Sequence, residues 1–305
     1  MTSESNGSVV SVSHLSCRFG SKVALDDVSL EIPRGRVFGL VGENGAGKTT
    51  LIKHVLGALS PQSGTVCVLG FDPTRNPPGV LSGIGYLSED RDLPRWMRVK
   101  ELMRYTQAFY PNWDEAYAQR LVEQFDLDAS AKIRNLSRGG KAKAGLLIAL
   151  AHRPELLLLD EPSSGLDAVT RRDILGAVLR SVAEEGRTVV FSSHLLEEVE
   201  RLADDVAMMH EGKLELLMPM DELRESHQRF VLTFSESVAE FPNIPCVLHS
   251  EGEGREWAVV CQGDLNSTRE ALETAGATII EHARPSLDTV FVARVRAGKP
   301  VTPSV

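Results

Sequence analysis

At 305 residues, with 42% hydrophobic and 25% charged side chains, the chain has the make-up of a folded globular protein, with room for one large domain and a small one. A formal net charge of −9 argues against a nucleic-acid platform, so no nucleic-acid partner is expected. Cys17, Cys67, Cys246 and Cys261 show no CxxC or zinc-like spacing, which points to a reducing compartment, and no apolar stretch reaches the roughly 20 residues that span a bilayer.

Residues 1–8 read as a frayed tail, small and polar and without the basic-then-apolar layout of a secretory signal. Residues 9–32 read as short strands around a turn at Gly20-Ser21-Lys22. Phe19, at that turn, either stacks on adenine, since every base offers a π face, or fills the core. Residues 37–41 form an apolar run with the character of a buried strand. Gly42-Glu43-Asn44-Gly45-Ala46-Gly47-Lys48-Thr49-Thr50 then fits GxxxxGK[ST], and Leu51, Ile52, Val55 and Leu56 follow at helical spacing. Strand, glycine loop and helix are the setting this phosphate-binding motif requires.

The chemistry expected of the loop is specific. Backbone N–H groups from Gly42 through Asn44, Gly45, Ala46 and Gly47 to Thr50 cradle phosphate oxygens, helped by the positive end of the helix. Lys48 neutralises the β- and γ-phosphates, and the Thr49 hydroxyl holds a magnesium ion. ATP and Mg2+ are the cofactors implied.

Further along, residues 65–69 and 83–87 read as strands, the second ending at Ser88-Glu89-Asp90. Residues 91–137 are richer in charge and aromatics and read as a helical insertion, broken at 110–114 with Asp114 as N-cap. Its start (Arg91, Arg95, Trp96, Met97, Arg98, Lys100) is amphipathic and partly basic. Ser137 caps a further helix. Leu156-Leu157-Leu158-Leu159 reads as a strand buried on both faces, delivering Asp160 and Glu161 where open α/β sheets place ligands. Asp160 is expected to hold magnesium, and Glu161 to orient or deprotonate the water that attacks the γ-phosphate. The run at 189–191 likewise delivers His194. From Pro219 the pattern becomes that of a small α+β domain: a short helix, strands at 229–234, 246–249, 257–261 and 277–281, and a helix at 265–275.

The P-loop, Leu136-Ser137-Arg138-Gly139-Gly140, the Leu156–Pro162 run ending in Asp-Glu-Pro, Ser164-Gly165-Leu166-Asp167 and Ser193-His194 occur in the order of ABC transporter ATPase subunits. Over residues 9–218 the chain resembles that family, and the arrangement is similar to exporter-type subunits that work with a separate membrane protein. The fold implied is α/β: a P-loop NTPase ABC-type ATPase domain (9–218, helical insertion about 91–137) plus a small C-terminal α+β domain (219–296), with a disordered tail at 297–305. The resemblance implies a head-to-tail pair, identical or mixed, in which Ser137, Gly139 and Gly140 of one subunit reach the γ-phosphate held by the other. It also implies that His194 contacts the γ-phosphate, and that Asp167 crosses the interface or simply caps the next helix. Two departures stand out: Arg138 replaces the first glycine of the signature LSGGQ and Gly140 its glutamine, and Glu89 stands where the family has a glutamine. Arg138 points either away from the nucleotide or towards it, and Glu89 is either a magnesium ligand or an ordinary loop acid.

The function implied is ATP binding and hydrolysis, driving export through a membrane subunit from the cytoplasmic face, with the insertion receiving that subunit at an exposed Trp96 and Met97 or else presenting a merely solvated face. The closing segment 285–291 resembles that of exporter-type subunits. The alternative is a soluble ABC-class ATPase acting on nucleic acid or ribosomes; such relatives carry two cassettes or a long coiled coil, and the sequence has one P-loop and no sustained heptads. A nucleotide kinase would leave Ser137–Gly140 and His194 without roles.

Overall fold

The computed structural model describes residues 7–183 and 186–296, so the expected tail at 297–305 and most of that at 1–8 lie outside the described residues. Ser8 is no tail residue: it opens the first strand. Contacts divide the chain into two compact units, Met1–Leu195 with Leu202–Leu217, and Leu196–Arg201 with Met218–Val305. No helix among the described residues is long and apolar enough to cross a membrane.

The first unit opens with β1 (Ser8–Phe19) and β2 (Lys22–Pro33), paired antiparallel. Each is 12 residues long, in place of the short strands expected. Register shifts between Val12 and Leu15 and between Leu15 and Cys17, with His14 in the left-handed region at φ 50°, interrupt the alternation that marks a long strand. β3 (Val37–Val41) is buried at all five positions. After it come α1 (Lys48–Val55), β4 (Ser63–Val68), which completes the sheet β2-β1-β4, α2 (Pro77–Leu81) and β5 (Ile84–Leu87). The short α2, absent from the sequence reading, is started by Pro77 and by the Asn76 side chain, which accepts from the Gly79 N–H at 3.2 Å.

The insertion holds α3 (Val99–Gln107), α4 (Glu115–Gln124) and one 3-10 turn, Ile133–Asn135. Its approach is a turn, not a helix: Met97 N–H donates to Pro94 O at 3.1 Å. Arg134 N–H donates to Arg95 O at 3.1 Å, Ile133 N–H to Met97 O at 2.9 Å and Val99 N–H to Ala131 O at 3.1 Å. The turn and the bonds to Ile133 and Ala131 bury Met97 and Val99, while Trp96 stays 71% exposed. The expectation of an exposed Met97 is therefore wrong, and so is a solvated Arg91, which is 6% exposed.

α5 (Arg138–Leu150) leads to β6 (Leu156–Leu159), then α6 (Ala168–Ala183), β7 (Thr188–Ser193), α7 (Leu196–Leu202), β8 (Asp205–His210) and β9 (Lys213–Pro219). The main sheet runs β5-β6-β7-β3-β8-β9, and its first five strands are parallel. Parallel strands between helices are buried on both faces, which is why β6 can be four leucines. Val41 pairs with Ser193 and Leu159 with Phe191, so β3, β6 and β7 end together. Phe38, Leu40, Ile52, Leu158 and Val190 belong to the core beneath.

The second unit continues through α8 (Met220–Ser226), β10 (His227–Val238), β11 (Val247–Gln262), α9 (Leu265–Thr274), β12 (Ala277–Ala283) and α10 (Leu287–Arg296). Its antiparallel sheet is ordered β11-β10-β12. Alternate residues Phe230, Leu232 and Phe234 pack with Trp257, Val259 and Cys261 to form its core. β11 doubles back on itself, because Gln262 N–H reaches Cys246 O at 2.7 Å, and the bend falls at Gly252 and Gly254, both at positive φ. The two strands expected at 246–249 and 257–261 are its two arms.

Candidate active site

The shared end of β3, β6 and β7 carries the chemistry. Gly47, the N-cap of α1, has φ 109° and no side-chain cap; a Cβ there would stand 2.5 Å from Ala24 O, so only glycine fits the turn. The unfilled helix start leaves N–H groups unpaired within the helix, as an anion cradle needs. Lys48 follows, 5% exposed. Its Nζ donates to Gly42 O at 2.5 Å and to Glu43 O at 3.3 Å, and lies 3.3 Å from Glu161 Oε1.

Glu161, 4% exposed, is gripped from three sides. Oε1 meets Lys48, Oε2 accepts from His194 Nδ1 at 2.7 Å, and its peptide N–H donates to Ser192 Oγ at 2.9 Å. Ser192 Oγ in turn donates to Asp160 Oδ1 at 2.7 Å. A carboxylate is acceptor-only when ionised, so its bond to Nδ1 fixes that ring nitrogen as the protonated one. Two buried acids lie beside one buried ammonium, and Glu161 Oε1 faces it as an ion pair with no hydrogen bond of its own. Ser192, the link between Asp160 and Glu161, was not singled out in the sequence.

Beside this network lies a cleft of about 320 Å³ that brings together Phe19, Thr49, Glu89 and Glu161 with the loop residues Asn44, Gly45, Gly47, Lys48 and Thr50. Phe19 is 52% exposed, which rules out the core-filling alternative. Lys22 also lines the cleft, a residue that nothing in the sequence marks, since one lysine at a strand start has no spacing signal. Gly42 contributes its carbonyl to Lys48, Ala46 is buried in the core cluster, and Asp160 and His194 adjoin the cleft through Ser192 and Glu161.

Thr49, Glu89 and Asp160 form a hard oxygen donor set: one hydroxyl and two carboxylates. That chemistry fits Mg2+, which keeps several waters and takes only one or two carboxylates plus substrate phosphates. No cluster of three or more His, Cys, Asp or Glu side chains poised to hold a metal occurs among the described residues.

The remaining expected residues form a second group, none of them lining the cleft. Ser137 Oγ accepts from Gly140 N–H at 3.0 Å and caps α5. A Cβ on Gly139 would lie 2.8 Å from Thr170 Oγ1. Asp167 accepts from Thr170 N–H at 2.9 Å and from Thr170 Oγ1 at 2.7 Å, and this hydrogen bonding lowers its carboxyl below the usual range. Asp167 therefore does cap the following helix.

Comparison with known proteins agrees with this geometry. A family model described as ABC transporter matches residues 25–164. The ABC transporter ATP-binding protein YtrB of Bacillus subtilis is 33% identical over 230 residues, 75% of this chain and 78% of that one. The bacitracin transport ATP-binding protein BcrA of Bacillus licheniformis is 30% identical over 225 residues, 73% of this chain and 74% of that one. Among solved structures, one titled as the ATP binding subunit of an ABC transporter superposes with a TM-score of 0.65 at 28% identity, covering 71% of this chain and 92% of that one. With a P-loop, an acidic strand end and a match of this extent, the chain belongs to the ABC transporter ATP-binding proteins and is an ATPase.

Proposed function

We propose that this chain powers an ABC exporter from the cytoplasmic face of the membrane, closing with a second ATPase subunit around ATP and acting on a separate membrane subunit. The observation that carries the catalytic part is the buried Lys48–Glu161 pair at the cleft, with the exposed His194 ring bonded to the carboxylate. Phosphate oxygens and the Glu161 carboxylate compete for one ammonium. A bound γ-phosphate draws Lys48 towards itself and leaves Oε1 to accept a proton from the attacking water. His194 holds Oε2 and so aims the carboxylate; its proton on Nδ1 leaves Nε2 for the phosphate side. Thr49, Asp160 and Glu89 hold Mg2+, which when bound neutralises developing charge on the phosphates. Phe19 stacks on the base.

The membrane subunit docks on the helical insertion, where Trp96 is 71% exposed. A cleft of about 460 Å³ lined by Leu56, Leu81, Tyr86, Thr106 and Ile148 offers an apolar floor for an amphipathic segment of that partner. The similarity to BcrA, named for bacitracin transport, supports a transport role.

Three substitutions test the reading. Lys48→Ala removes a charge-assisted contact of about 1.5–3 kcal/mol, so binding of a fluorescent ATP analogue weakens accordingly. Glu161→Gln keeps the binding and slows hydrolysis by about 10²–10⁴-fold, as loss of a general base does. A Glu161→Gln protein that turns over ATP at the wild-type rate removes Glu161 from the role of base. Trp96→Ala leaves ATP affinity intact and weakens membrane-partner binding, read by co-purification of the two subunits.

A further inference from the structure

The loop that follows Glu161 is held by two arginines that none of the chemistry above uses. Arg91 is buried, and its Nη2 donates to Pro162 O at 3.2 Å and to Ser164 O at 2.9 Å. It reaches them from a left-handed backbone, φ 51°, a conformation that costs a side-chain-bearing residue energy and persists only where its surroundings enforce it. Arg138, at the start of α5, lays its guanidinium against Gly165: a Cβ at Gly165 would overlap Arg138 Nη1 and Cζ. Gly165 itself has φ 63°. A bare Cα there is what lets a flat cation lie on the loop. The two guanidiniums are close. Burial first, then the charge of Arg138, lowers the Arg91 pKa, while Glu89 opposes the shift.

Arg138 is the residue that departs from the signature pattern, so its place is informative. It faces the chain's own 162–165 loop, immediately downstream of the buried carboxylate. Arg91 stands two residues beyond Glu89, which lines the cleft. Both ends of the helical insertion, 91 and 138, therefore converge on one loop.

We infer that Arg91 and Arg138 act as a clamp that positions Glu161, tying both ends of the helical insertion to the loop that fixes the catalytic carboxylate. Movement of the insertion then reaches Glu161 without passing through the nucleotide. The inference rests on the reading of Glu161 as the base of the ATPase reaction.

The test uses the purified full-length chain, with saturating Mg-ATP for kcat and a fluorescent ATP analogue for affinity. Arg138→Ala alters an exposed side chain and is expected to fold; it lowers kcat by about 10- to 100-fold, the loss that misplacement of a reacting group by an ångström brings, while affinity stays within about 2-fold because the Lys48 cradle is untouched. Arg138→Lys restores only part of the rate, since an ammonium keeps the charge but not the planar stacking. Gly165→Asn, a residue that tolerates the left-handed region, displaces the guanidinium and reproduces the Arg138→Ala defect. The double variant is no slower than either single one, because both break the same contact. A wild-type kcat for Arg138→Ala, a matching loss of ATP affinity, or additive defects in the double variant each overturns the clamp. Glu161→Gln assayed alongside separates the two readings: if it is inactive while Arg138→Ala is normal, the clamp alone fails; if it is fully active, both fail.

Discussion

Glu161 owes its character to the end of a strand. Its φ of 48° is uncommon for a residue with a side chain, and strain of this kind gathers where function needs a fixed geometry. Lys48, Ser192 and His194 overdetermine it. His194→Ala is accordingly predicted to slow hydrolysis by about 10- to 100-fold through misaim of the carboxylate, with ATP affinity nearly unchanged; a kcat measured at saturating ATP reads this directly, and a pure affinity defect would assign the ring to binding alone. Phe19 behaves in the opposite way. Half exposed beside the P-loop, it is proposed to stack on the base without touching the reacting phosphate, so Phe19→Ala is predicted to weaken ATP binding by about 1–3 kcal/mol and to spare kcat. Equal loss for ATP and GTP is expected, because stacking does not read base edges. The P-loop and the acid pair were legible in the sequence because each is a contiguous string. The His194–Glu161 and Ser192–Asp160 contacts were not, since more than thirty residues separate partners that only the sheet order makes neighbours.

Helix starts show what local sequence can carry. Asp114 Oδ1 accepts the Tyr117 N–H at 2.8 Å, and Oδ2 meets Arg153 at 3.0 Å. The backbone hydrogen bond first, then Arg153, lowers its carboxyl below the ordinary value. Asp114→Ala is predicted to cost about 1 kcal/mol, read as a lower Tm at neutral pH. The sign of its pH dependence follows from linkage: a depressed folded-state pKa gives stability that is complete above the unfolded value, about 3.9, and disappears as pH falls through the folded one. The Tm gap between variant and wild type thus narrows in acid; a gap constant down to pH 2–3 would deny the carboxylate its role. Asp114 and Ser137 were both legible because a cap bonds two or three residues ahead. Arg91 and Met97 were misread for the converse reason. The charge of the segment suggested a solvated face and the family resemblance an exposed Met97, but Arg91 bonds to carbonyls over seventy residues away and Met97 O accepts from Ile133 N–H. The same limit hid the length of β1, whose bulges break the alternation, whereas both arms of β11 were visible as short apolar runs on either side of a Glu- and Gly-rich stretch.

At the scale of the whole molecule, the two groups of expected residues pose a geometric problem. Lys48, Thr49 and Glu161 meet at the cleft, whereas Gly139 and Asp167 meet at Thr170, Ser137 caps the helix that holds Gly139, and none of the three lines the cleft. On the proposed reading one copy presents half of a nucleotide site at each of two places, and a two-fold pair, in which patch i meets patch j and patch j meets patch i, would complete both halves. Complementation tests this. Lys48→Ala spoils the phosphate cradle of its own subunit. Ser137→Asp retains a cap acceptor for α5, since aspartate caps as well as serine, but sets a negative charge against the partner's phosphates. Each variant alone has two defective sites and hydrolyses ATP poorly. In a mixed pair both defects fall on one site, and the other combines an intact Lys48 with an intact Ser137. Mixing the purified variants is therefore predicted to raise ATPase activity above that of either one, and the gain should follow the fraction of mixed pairs as the ratio is varied. If every mixture gave only the average of the two inactive proteins, each subunit would be working on its own nucleotide, and the head-to-tail arrangement would have to be abandoned.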